Sequence, residues 1–79
     1  MTAPTFSLAH IHQYVNELTI TDEIGSVSGT VEWGPGGELL VWENEFKCAG
    51  GRRKALLDAL AAHLTSKKCN YEIFWGRDR

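Results

Sequence analysis

The sequence predicts an α+β fold: a small antiparallel sheet of three to four strands with one amphipathic helix packed on one face. Three observations carry this expectation. Leu56, Leu57, Leu60 and Leu64 fall at i, i+1, i+4 and i+8, the stripe of a helix over residues 52–66. Residues 30–46 alternate apolar and polar side chains on either side of a GPGG turn, as a β-hairpin does. After the helix, NYEIFW alternates again and reads as a returning strand. At 79 residues the chain is expected to form one domain, 1–79, burying only about 60% of its unfolded surface.

The N-terminal stretch SLAHIHQYVNEL supports two readings. Leu8, Ile11, Val15 and Leu18 at i, i+3, i+7 and i+10, with Ser7 as N-cap, predict a second, N-terminal helix. As a strand it would set His10, His12 and Tyr14 on one face and Ala9, Ile11, Gln13 and Val15 on the other. The helix is the preferred reading. LTITDEI then reads as a strand and SVSG as a loop.

In the hairpin, alternation places Val31 and Trp33 opposite Thr30 and Glu32. It groups Leu40, Trp42, Asn44 and Phe46 against Val41, Glu43 and Glu45. Glu32, Glu43 and Glu45 are therefore expected on one solvent-facing side of the sheet. Most of the three tryptophans are expected in the core. Gly50 and Gly51 punctuate the helix start, and Ala55, Ala59 and Ala62 raise its propensity. Lys67 and Lys68 sit at the negative end of its dipole. In the last strand Tyr71, Ile73 and Trp75 face away from Glu72 and Phe74.

The net charge of −2 conceals an asymmetry. Residues 1–46 hold seven acids and no Lys or Arg, whereas residues 47–79 hold all eight Lys and Arg and three acids. The halves thus carry −7 and +5. Either a charged partner is recognised or the halves neutralise each other on folding. Cys48 and Cys69 flank a helix about 22 Å long, beyond the roughly 7 Å Cα separation a disulfide needs, so both are expected as free thiols. No membrane span or secretory signal is legible, and a cytoplasmic protein is expected.

Motifs for chemistry are sparse. His10-x-His12 would point both rings one way on a strand, with His63, Cys48 or Cys69 as a third ligand. The Cys-x-x-Cys pairs of structural zinc sites are missing, and no metal or cofactor is expected. Ser7, Ser26, Ser28 and Ser66 lie in no nucleophile elbow. His63 with Cys69 would make a thiol–base pair without an oxyanion hole, so a non-enzymatic protein is expected. AGGRRKA raises a sharper question. Arg52, Arg53 and Lys54 occupy the positive end of the helix dipole, where cations are disfavoured. They either contact an anion, helped by Gly50, Gly51 and free backbone N–H groups, or balance the acidic hairpin.

GGRRKALLDALAAHL resembles the last helix of double-stranded RNA-binding domains, in which a basic cluster opens an alanine-rich helix. That resemblance implies direct nucleic-acid binding through Gly50, Gly51, Arg52, Arg53 and Lys54. In size, partly acidic charge and architecture the whole chain resembles the small phage-encoded inhibitors called anti-CRISPR proteins. That likeness implies a protein partner: a CRISPR effector complex whose basic nucleic-acid-binding surface is occupied and whose target DNA is excluded. Glu32, Glu38, Glu43 and Glu45, with Trp42 as anchor, are the expected partner-binding residues. A third alternative is a structural or assembly subunit, a homodimer through a sheet edge.

Overall fold

A computed structural model describes residues 3–79. The chain runs β1 (Thr5–His12), β2 (Val15–Thr21), β3 (Ser26–Trp33), β4 (Leu39–Trp42), a 3-10 turn (Glu43–Glu45), α1 (Gly50–Ser66) and β5 (Tyr71–Phe74). The strands form one sheet in the order β1-β2-β3-β4-β5. Neighbours are antiparallel except β4 and β5, which are parallel. A parallel neighbour needs a long crossover, and α1, about 25 Å over its 17 residues, supplies it.

The α+β class, the single helix of leucines, the hairpin around GPGG and the returning strand are all present. The strand count is five rather than three to four, and the sheet is mixed because β5 pairs in parallel. The second, N-terminal helix does not form. Residues 7–18 belong to β1, a tight turn and β2. Gln13 reverses the chain there with a left-handed φ of 49°. The helical spacing of Leu8, Ile11, Val15 and Leu18 is shared between two strands. Leu18 is buried, whereas Leu8 and Ile11 are exposed.

Pairing fixes which side chains face the helix. Leu18 and Ile20 of β2, Val27 and Val31 of β3, and Leu39 and Val41 of β4 are buried against Leu56, Leu57, Leu60 and Leu64 of α1. Burying those four leucines stabilises the fold by about 1.5–3 kcal/mol each. Tyr71 and Ile73 pack at the border of the same core.

SVSG is strand, not loop. Gly29 marks a close approach: a Cβ there would lie 2.8 Å from the Phe46 ring, which caps the core over β3. Strand β4 stops at Trp42, whereas the sequence alternation runs on to Phe46. Its faces are also reversed from the expectation. Val41 is buried, and Leu40 and Trp42 point away from the helix. A one-residue difference in phase exchanges every side chain between faces, and the helix leucines choose Leu39 and Val41.

None of the three tryptophans is buried. Trp33 sits at the end of the sheet, where its Nε1–H donates to the Asn16 amide oxygen at 3.2 Å, with that amide in the orientation satisfying both its ends. Trp75 is exposed beside Lys54, whose ammonium lies 5.8 Å from the ring centroid. Phe46 is the aromatic side chain of the core.

Candidate binding face

Among the described residues no helix or strand covers the sheet face opposite α1, which is built from cross-strand rows. Thr5, Thr21 and Ser26 form one row, and Ser7, Thr19 and Ser28 the next. Their hydroxyls bond to one another, Thr19 to Ser28 at 2.8 Å and Thr21 to Ser26 at 2.7 Å. Ala9, Glu17 and Thr30 follow, and then Val15, Glu32, Leu40 and Glu72. Trp42 and Phe74 pair beyond Leu40 and Glu72, with ring centroids 5.2 Å apart and planes inclined by 20°.

The face therefore has a hydroxyl end and an aromatic end. Its strand-borne charges are Glu17, Glu32 and Glu72, and no strand contains a Lys or Arg. A cation reaches it from outside the sheet: Arg79 Nε donates to Glu32. At the hairpin end a cleft of about 420 Å³ opens between Tyr14, Glu32, Trp33, Gly34, Pro35 and Leu40.

The expected partner-binding residues do not all meet on this face. Glu32 and Trp42 do. Glu38 lies in the turn ahead of β4, with its carboxylate folded over Gly34 and Gly36. Glu43 and Glu45 leave the sheet because the chain enters a 3-10 turn after Trp42. Glu43 is a structural joint. It accepts from Arg53 Nε at 3.1 Å and from the Gly76 N–H at 2.6 Å, tying the start of α1 to the chain after β5. The Gly76 N–H, and then Arg53, hold its carboxyl below the usual range. Glu17 and Glu72 are the members that sequence reading passed over. The period-2 position of Glu72 opposite Tyr71 and Ile73 carried the signal. That of Glu17 was hidden by reading its segment as a helix.

The cations at the helix start are engaged within the molecule. The helix begins at Gly50, two residues before the expected 52. Arg52 donates to Asp22 from Nη2 at 2.8 Å and from Nε at 3.4 Å, and to the Gly25 carbonyl at 3.1 Å. Asp22 also accepts from the Ile24 and Gly25 N–H groups. The Arg52 guanidinium, aided by those two N–H groups, lowers the Asp22 carboxyl to about 2. Arg53 holds Glu43 and the carbonyls of Phe46 and Cys48. Lys54 pairs with Asp58 at 2.7 Å one turn along the helix. Gly50 and Gly51 lie in the first turn of α1, and no side chain caps it.

Residues weighed for chemistry are dispersed. His10 donates from Nε2 to the Gln13 carbonyl at 2.8 Å, and the β1–β2 register shifts between His10 and His12. His63 stacks on Phe6 with centroids 4.7 Å apart. Cys48 and Cys69 are free thiols at opposite ends of α1. Among the described residues, no three His, Cys, Asp or Glu side chains gather as metal ligands, and no helix is long and apolar enough to cross a membrane. The chain matches no family model, no curated protein and no solved structure.

Proposed function

We propose that this is a non-enzymatic binding module whose open sheet face docks on a basic protein surface. One observation carries the reading: the open face combines Glu17, Glu32 and Glu72 with a Trp42–Phe74 stack, and the cation that reaches it, Arg79 of the C-terminal tail, pairs with Glu32. A carboxylate array steers association with a cationic surface. A half-buried tryptophan beside it supplies rigid contact area of the kind enriched at interface hot spots. Surfaces that hold phosphate backbones are lined with Lys and Arg and match such a face in charge. An inhibitor of the anti-CRISPR kind, occupying the DNA-binding surface of an effector complex, is the specific form of this reading.

The test is target-DNA binding by purified CRISPR effector complexes with and without the protein. The expected result is inhibition that weakens with salt, is lost in Glu17→Lys/Glu32→Lys/Glu72→Lys, and falls at least tenfold in Trp42→Ala, while both variants keep the native circular dichroism. Full inhibition by the triple variant sinks the acidic-face mechanism. Direct, salt-dependent binding of the free protein to DNA or RNA, lost on changing Arg52, Arg53 and Lys54 to Ala, replaces the reading with nucleic-acid binding.

A further inference from the structure

The sheet has two edges, and they are not alike. Strand β5 is four residues long and carries Glu72, and the chain beyond it is pinned by Glu43 and by an Asn44 N–H to Arg77 carbonyl bond of 3.2 Å. Strand β1 is eight residues long, about 27 Å, and its outer side offers a row of unpaired backbone groups. Exposed edges are ordinarily blunted with Lys, Pro or inward charges. TFSLAHIH contains none of these, and its one bulge, itself an edge-blunting device, is confined to the turn end between His10 and His12 and leaves Thr5–His10 in regular register.

The same strand leaves apolar surface uncovered. On the helix side, Leu8 is 42% exposed although its β2 partner Leu18 is buried. A shallow groove of about 130 Å³ runs between β1 and α1, lined in part by Phe6, Leu8, Leu60 and His63. Ile11 and Tyr14, at the turn, are 53% and 55% exposed. A backbone edge is satisfied by another strand, and an uncharged one brings no like-charge repulsion when it meets itself.

We infer that β1 is a homodimerisation edge: two copies pair antiparallel about a two-fold axis at Leu8 and join their sheets into one of ten strands. This register sets Leu8 against Leu8 of the second copy, Phe6 against His10, and Ser7 against Ala9. An axis normal to the sheet keeps both helices on one side, so the two Phe6–His63 stacks wall a valley floored by the paired Leu8 side chains. The paired edge and valley bury on the order of 1,000 Å², the lower end for a specific interface, so a weak, concentration-dependent dimer is expected. The other side of the sheet then presents two open faces in one plane. The inference stands on β1 alone and does not depend on what the open face binds.

Sedimentation of the full chain over a concentration series tests it. The expected result is a rise from the 8.8 kDa monomer to twice that mass. Leu8→Lys is expected to weaken the dimer at least tenfold, its aliphatic stem still covering the groove, whereas Ile24→Lys on the distant β2–β3 turn leaves the mass unchanged. Amide exchange of the unmodified protein gives a readout independent of any variant: protection of β1 amides rises with concentration. A monomer up to about 1 mM, a dimer that Leu8→Lys leaves intact, or β1 protection independent of concentration each overturns the inference.

Discussion

Gly29 and Phe46 show how one residue is chosen by another. Mid-strand glycine weakens a β-strand, and its place here is explained by the ring lying across it. Gly29→Ala is expected to destabilise the protein by about 1–3 kcal/mol through overpacking, read from the urea midpoint. In a Phe46→Leu background the same change is expected to cost less than half as much, because the displaced atoms are gone. Equal costs in both backgrounds would show that the ring is not the constraint. From the sequence Gly29 looked like a loop signal, since nothing local distinguishes a glycine that turns the chain from one that makes room.

At the scale of elements, α1 is the member on which the others depend. Its glycine start has low propensity and no capping side chain. Arg52 and Arg53 instead anchor it to the β2–β3 turn and to the turn after β4. Its leucine stripe covers the sheet, and β5 reaches its parallel position only after the crossover. Leu60 is central to that stripe and buried. Leu60→Ala is expected to cost about 2–5 kcal/mol. That is a large part of the roughly 4–12 kcal/mol typical for 79 residues, so urea unfolding of the variant is expected to begin near zero denaturant. An unfolding free energy within about 0.5 kcal/mol of that of the unmodified protein would contradict the packing described. The helix was legible because four leucines share one face. The N-terminal strands were not, because a strand–turn–strand can imitate a 3.6-residue period when its apolar residues divide between two strands.

Over the whole molecule the acidic and basic halves close on each other. Asp22–Arg52, Glu43–Arg53 and Glu32–Arg79 each join an acid of residues 1–46 to an arginine of residues 47–79. Acid should therefore loosen the fold in a definite window. The Asp22 carboxyl falls from 3.8 to about 2 on folding, so its contribution is complete above about pH 4 and is lost as pH drops through about 2. Glu43, also lowered, acts in the same direction. Urea midpoints of the unmodified protein are expected to decline from pH 5 to pH 2. In Asp22→Asn they are expected to start lower and decline less. Parallel curves for the two proteins would mean that Asp22 is not a source of the acid sensitivity. Of these three ion pairs, the one at Glu32 reaches the open face, and Glu17 and Glu72 belong to none of them.

The sequence by itself determined the α+β class, the leucine helix, the hairpin at GPGG, the strand after the helix and the separation of the two cysteines. Each of these is written in a local period or spacing. Tertiary structure decided the strand count, the parallel pairing of β5, the end of β4 at Trp42 and the face on which Trp42 lies. It also decided that Glu17 and Glu72, rather than Glu43 and Glu45, accompany Glu32 on the open face. Strand phase is settled by which side chains the helix buries, and charge placement follows phase. Neither quantity exists until residues distant in sequence are brought into contact.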